Sequence, residues 1–269
     1  MLQIIGYLGA LLMGLSLGLV GGGGSIIALP ILVYLFHIQP EIAITYSLFI
    51  VGGTSVFASV NHIKQNNFDV QVALKFGIGS VISVAITRFF IMPNIPNILF
   101  TISNIVIKKQ VILLLLFSAL MLVASIKMIV NKTEVIKKIT TIKTSSLLFT
   151  GLNVGFLTGL IGAGGGFLIV PALISKANLT MKKAIGTSLI IIGINSLIGF
   201  TISLVHIKNI NWNLLFSILV ISFIGTIIGA QLSKKIPNNK LKPLFGWFVL
   251  LTGIYIIIKE IYLLINYTL

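Results

Sequence analysis

The sequence contains no cysteine, which excludes disulfide frameworks and thiolate metal sites and says nothing about redox compartment. Acids are almost as scarce. Glu41, Asp69, Glu134 and Glu260 are the only four, and each is expected at or beyond the end of an apolar run. Pumps and proton-coupled carriers commonly hold a carboxylate inside the membrane. Its absence suits a path for anions, which a carboxylate would repel. Any coupling is then left to a histidine, to protonation of the anion itself or to backbone-ligated sodium. The apolar runs also lack paired acids, a histidine cluster or a Ser-His-Asp set, so neither an enzyme nor a cofactor is expected. No Lys or Arg precedes Lys64, so the first run lacks the basic n-region of a secretory signal.

Charge of either sign is rare, at 9% of residues against about 25% in a soluble domain. What fills the chain is hydrophobic: 57% of residues, with a mean hydropathy of +1.14. Such a composition cannot cover a water-facing surface, and the lipid bilayer is the expected surrounding. The net charge of +15 lies in loops between apolar runs, as cytoplasmic loops of membrane proteins carry it, so no nucleic-acid partner is expected.

Eight runs are long enough to span a bilayer: about 2–20, 42–61, 70–92, 109–130, 145–162, 183–205, 212–232 and 243–265. Two shorter pieces, about 25–37 and 166–176, follow glycine clusters and reach only ~17–20 Å as helix. The expected fold is an all-α polytopic membrane protein of about eight full spans plus two short helices.

The chain also repeats itself. At a shift of 141 residues, Gly18-Leu-Val-Gly-Gly-Gly-Gly meets Gly159-Leu-Ile-Gly-Ala-Gly-Gly. Pro30 meets Pro171, Ala43 meets Ala184, and Ser47-Leu48 meets Ser188-Leu189. Three residues further out of step, His62-Ile63-Lys64 meets His206-Ile207-Lys208, and Asn67-Phe68-Asp69 meets Asn211-Trp212-Asn213. The reading is two homologous halves, 1–130 and 145–269, joined by a basic linker at 131–144.

Charge decides between parallel and inverted halves. With four crossings per half, the basic residues split nine against ten and select no orientation. With a crossing on each side of each glycine break, only Arg88, Lys108, Lys109, Lys208 and Lys259 fall on one side and the other fourteen on the opposite. That split obeys the positive-inside rule and favours inverted repeats, with both termini outside and the linker in the cytoplasm.

A glycine costs a helix interior about 1 kcal/mol relative to alanine, so Gly21–Gly24 and the cluster Gly162–Gly166 should interrupt their helices. An unpaired backbone group in hydrocarbon costs several kcal/mol, so such an interruption is tolerated only in protein or a wet cavity. There, the N–H groups that open the next helix form an anion site without any charged side chain. Paired interrupted helices at corresponding places of two halves point to a transporter's binding site. The candidate substrate-binding residues are Gly21, Gly22, Gly23, Gly24 and Ser25 in the first half, and Gly162, Gly164, Gly165 and Gly166 in the second. Ser25 is placed either to cap the second helix piece or to donate to a bound oxyanion. Ser47, Ser188 and Asn195, with Thr54, Ser55, Thr187 and Ser196 around them, either complete an oxyanion's coordination or hydrogen-bond neighbouring helices. Arg88, about four residues from the end of its span, either snorkels to the interface or attracts anions. His62 and His206 either anchor span ends or relay protons, and His37 has no match in the other half.

On these motifs the chain resembles the TauE/SafE sulfite exporter family of bacterial membrane transporters. The carriers are the two glycine clusters with Pro30 and Pro171, the Ala43-x-x-x-Ser47-Leu48 and Ala184-x-x-x-Ser188-Leu189 motifs, Phe68-Asp69, Trp212-Asn213 and Gly225-x-x-x-Gly229-Ala-Gln-Leu. Two departures are Ser25, in place of the last glycine of the first motif, and Gln231, where many relatives carry Arg. The resemblance implies a multi-pass protein of the bacterial plasma (inner) membrane that moves small sulfur-containing anions, such as sulfite or organosulfonates, usually outward. The sequence leaves open a passive anion channel with the breaks as its filter, the identity of the anion, the coupling ion and assembly into a homo-oligomer.

Overall fold

The computed structural model describes residues 2–102, 105–130, 144–162, 164–207, 210–235 and 238–266. The linker at 131–143, Ala163 of the second glycine motif and Lys208 of the repeated triplet lie outside them.

Among the described residues the chain forms ten helices. The first five are α1 (Leu2–Val20), α2 (Ser25–Leu35), α3 (Pro40–Lys64), α4 (Val70–Asn94) and α5 (Lys109–Val130). The second five are α6 (Thr144–Ile161), α7 (Gly166–Ala177), α8 (Met181–Ser203), α9 (Trp212–Lys235) and α10 (Asn238–Asn266). Six of them, α3, α4, α5, α6, α8 and α9, are long and apolar enough to cross a bilayer. Ile4–Val20, α2 and α7 are apolar but shorter. The segment between α4 and α5, which periodicity leaves as a plain connection, holds an antiparallel hairpin of β1 (Ile98–Ile102) and β2 (Ile105–Lys108). Pro93 and Pro96 stop the helix, and the β-branched run that follows pairs with itself.

Capping chemistry sets several helix ends. Pro40 opens α3 in the first turn. Asp69 Oδ1 accepts from Val72 N at 2.9 Å to start α4, and Asn211 Oδ1 accepts from Leu214 N at 3.1 Å to start α9. Asn178 ends α7 in the left-handed region with φ of 49°. His37, 141 positions earlier, takes the same conformation after α2, with φ of 54°.

Glycine governs the packing. α1 lies on α9 so closely that a Cβ at Gly14 would overlap the Ser222 carbonyl oxygen, and one at Gly225 the carbonyl oxygen of Leu11. α6 lies on α4 in the same manner: a Cβ at Gly155 would overlap the Ser80 carbonyl oxygen, and one at Gly151 that of Phe76. Lipid offers helices no hydrophobic reason to associate, so close van der Waals approach between small residues must hold them. The remaining large contacts are α3 on α8 and α5 on α10. Around this core, side chains such as Leu8, Ile78, Phe149 and Leu251 face outward, as a lipid-facing surface requires.

One expectation for the acidic side chains changes. Glu260 is not at a span end: it lies inside α10, 5% exposed, accepting from Tyr34 Oη at 2.8 Å, because α10 runs on to Asn266 and α2 packs beside it. Glu41 does sit at the start of α3, where it pairs with Lys109 Nζ at 3.0 Å.

Candidate functional site

Both glycine clusters interrupt the chain. α1 closes with Gly21 N donating to Leu17 O at 2.8 Å, and α6 closes with Gly162 N donating to Thr158 O, also at 2.8 Å. The next backbone step is left-handed in each case, with φ of 75° at Gly21 and 73° at Gly162. Residues with a Cβ rarely adopt that conformation. Beyond it the two breaks differ. Gly22–Gly24 form one 3₁₀ turn that leads into α2, whereas Gly164 and Gly165 take two further left-handed steps, φ 63° and 71°, before α7. Gly23 sits in the middle of the 3₁₀ turn.

The breaks meet. Gly22 and Gly166 are in backbone contact, with no room for a Cβ on either. Each break also presses on the other half's long helix: a Cβ at Gly21 would stand 2.6 Å from Ile185 Cγ2, and one at Gly162 would overlap Ile44 Cγ2. The second break runs from Ile44 to Val51, midway along α3, where a Cβ on Gly164 would come 2.7 Å from Val51 Cγ1 and 2.8 Å from Ser196 Oγ. Gly24 lies against Met13 and Leu17 of α1, so α2 turns back along the helix it follows.

The polar candidates divide. Ser25 does not cap α2: the cap position is Gly24, without a side-chain bond, and Ser25 Oγ instead donates to Gly22 O at 2.7 Å, tightening the break itself. Ser47 Oγ lies 2.5 Å from Gly162 O and 2.8 Å from Ile44 O, so it ties the second break to α3. Ser188 Oγ donates only to Ile185 O of its own helix, at 2.8 Å. Asn195 Nδ2 donates to Ser80 Oγ at 2.6 Å on α4, while its Oδ1 is buried without a partner. Thr187 is a structural acceptor for Asp69 N, at 3.0 Å. Ser55 and Ser196, 141 positions apart, both keep buried hydroxyls without a partner.

Arg88 is the largest correction. It does not snorkel. It is 6% exposed, and its Nη2 would stand 2.5 Å from a Cβ on Gly162. The signal in the sequence was a lone guanidinium inside an apolar run, but its direction follows from a π-helical turn, Thr87–Ile91, that no residue pattern announces. Phe89 and Phe90 take the lipid side of that turn, at 51% and 58% exposure. A small, largely apolar cavity between α2, α3, α5 and the end of α6 is lined by Leu29, Pro40, Glu41, Ile44, Leu114 and Ile161.

Chemically, the arrangement sets the start of α7 and bent glycine backbone beside one buried cation at Gly162 and one unpartnered hydroxyl, that of Ser196, at Gly164. Comparisons with known proteins agree with a membrane transporter. The sequence profile described as "Sulfite exporter TauE/SafE" matches residues 7–256. A "Probable membrane transporter protein" of Xylella fastidiosa (strain Temecula1) is 30% identical over 257 residues, covering 91% of each chain. The "Probable membrane transporter protein YdhB" of Bacillus subtilis is 26% identical, covering 86% of this chain and 90% of its own. The "Probable membrane transporter protein MJ0441" of Methanocaldococcus jannaschii is 28% identical, covering 90% and 87%. No solved structure matches. A profile match over nearly the whole chain, on top of apolar helices built to cross a bilayer, leads to one conclusion: this integral membrane protein belongs to the sulfite exporter TauE/SafE family of membrane transporters.

Proposed function

We propose that the protein is a secondary transporter that exports small sulfur oxyanions, sulfite or organosulfonates, across a bacterial plasma membrane, binding them where the two glycine breaks converge. The observation that carries this reading is the backbone contact of Gly22 with Gly166, next to which Gly164 lies against Val51 and Ile192, midway along α3 and α8. A bend at that depth is sheltered by protein, and the start of α7 lends positive potential without a compensating acid.

Inverted repeats give the site its mechanism. Contacts exchange between the halves when 141 is added or subtracted: Gly21 with Ile185 answers Gly162 with Ile44. Asp69 N on Thr187 likewise answers Asn211 N on Tyr46, one residue out of step. Rocking one half on the other about the joined breaks would then open the site to each side in turn. The test is flux in sealed proteoliposomes with labelled sulfite, methanesulfonate, sulfate and acetate. Saturable movement of sulfite or methanesulfonate, far below channel rates, supports the carrier. Unsaturable flux at channel rates supports a passive anion channel instead, and transport of acetate alone would defeat the sulfur-oxyanion assignment.

A further inference from the structure

Arg88 has no counter-ion among the described residues. Glu41 is paired with Lys109, Asp69 caps the opposite end of Arg88's own helix, and Glu260 is held by Tyr34. The two other charged side chains buried to a similar degree, Lys109 and Glu260, both have partners. Arg88 Nε and Nη2 have none. Those two nitrogens form one edge of the guanidinium, with their N–H bonds side by side. That is the edge that grips two oxygens of a single oxyanion at once. A guanidinium buried without a partner is expensive, and ionisable groups kept at membrane depth mark substrate paths.

We infer that Arg88 is an anion-binding residue of the transport site, its Nε–Nη2 edge taking two oxygens of the cargo beside Gly162. The inference rests on the proposed function and adds to it a charge and a geometry. Backbone amides at the start of α7 supply partial charge only. Arg88 supplies a full unit, so the bound cargo carries net negative charge and presents two coplanar acceptor oxygens, as a sulfonate or sulfite does. The π-helical turn at Thr87–Ile91 carries Arg88 on the buried side of its helix, and the glycine at 162, with no Cβ, lets Nη2 lie directly against the break.

The experiment uses the full chain in liposomes, with methanesulfonate as a stable probe and sulfite beside it. KM for uptake and the ligand-induced rise in Tm are measured for wild type, R88Q and R88K. Charge-assisted bonds to a buried anion correspond to about 10- to 100-fold in affinity, so R88Q should raise KM by that factor and lose the Tm rise. R88K keeps the charge but not the fork, and should fall between. With no ligand, R88Q should melt at the wild-type temperature or above it, because it removes an unpaired buried charge. Wild-type KM and Tm rise in both variants would overturn the inference and leave the transport reading intact. So would a large drop in the empty R88Q Tm, which would expose an internal partner, or a change confined to retained phospholipid with KM unmoved. If R88Q does not insert, the KM of R88K alone decides. Wild type that neither moves nor responds to either anion overturns this inference together with the proposed function.

Discussion

Ser47 and Ser188 occupy matching places 141 residues apart, yet their hydroxyls meet different demands. Ser47 reaches across to Gly162 O, a carbonyl at the end of α6 that has passed out of regular helix, whereas Ser188 reaches only its own helix at Ile185 O. Removing a partner from a buried acceptor costs about 1–3 kcal/mol, so Ser47→Ala should lower thermal stability by that amount. Ser188→Ala removes a bond worth about 0.6 kcal/mol or less, because the Ile185 carbonyl belongs to a continuous helix. Melting curves of the two variants in detergent check the asymmetry; equal losses would show that Ser47 is not a strap. Gly162 carries a sharper expectation. Its φ of 73° disfavours any side chain, and Ile44 and Arg88 fill the space a Cβ would take. Gly162→Ala should therefore lose well over the ~1–2 kcal/mol of the left-handed conformation alone. At this scale the sequence was a good guide to glycine and a poor one to polar side chains. Four glycines in a row betray a break, but whether Ser25 caps, donates to an anion or tightens the turn depends on a 3₁₀ geometry that is settled only by contacts with the other half. Arg88 shows the same limit, since one wide turn shifts the face on which it lies.

Elements were far more legible. Hydrophobic runs as long as a bilayer leave little freedom, and the expected runs at 2–20, 70–92 and 109–130 agree with α1, α4 and α5 to within two residues. The hairpin at Ile98–Lys108 was not legible because an eleven-residue stretch rich in β-branched residues between spans resembles a loop until its strands find each other. Pairing of elements was legible only in part. Small residues at four-residue spacing, such as Gly14 with Gly18 and Gly225 with Gly229, mark close helix packing, but not which helix is the partner. The structure assigns them to each other. Gly14→Leu should accordingly separate α1 from α9, and Gly155→Leu should separate α6 from α4, since each added side chain would run into a backbone carbonyl, of Ser222 and of Ser80 respectively. Loss of the monodisperse peak in size-exclusion chromatography is the expected readout. Leu8→Ala, at a lipid-facing position 56% exposed, should change stability by no more than about 0.5 kcal/mol. A normal elution profile for Gly14→Leu would rule out the close α1–α9 contact.

Orientation in the membrane belongs to the whole molecule, and there the decisive quantity is the distribution of charge. Ten crossings put fourteen of the nineteen basic residues on one side, and eight crossings divide them almost evenly. A near-even division gives the insertion machinery nothing to read, whereas the uneven one fixes a direction. The two topologies place three sites differently. With ten crossings, Gln3 and Asn97 lie outside, and Gln65, after α3, lies in the cytoplasm. With eight, in which α2 and α7 return without crossing, Gln3 and Gln65 share a side and Asn97 is opposite. Because the chain has no cysteine, Gln3→Cys, Gln65→Cys and Asn97→Cys each introduce a single thiol without further change. Labelling intact cells with a membrane-impermeant maleimide should modify Gln3→Cys and Asn97→Cys but spare Gln65→Cys until the membrane is opened. Joint protection or joint labelling of Gln3→Cys and Gln65→Cys would return the halves to a parallel arrangement. The same number of crossings lies between α1 and α6 as between α2 and α7, so an odd count per half is what turns a repeat upside down. In that arrangement two like breaks would enter the bilayer from opposite faces, and the contact of Gly22 with Gly166 would join them there.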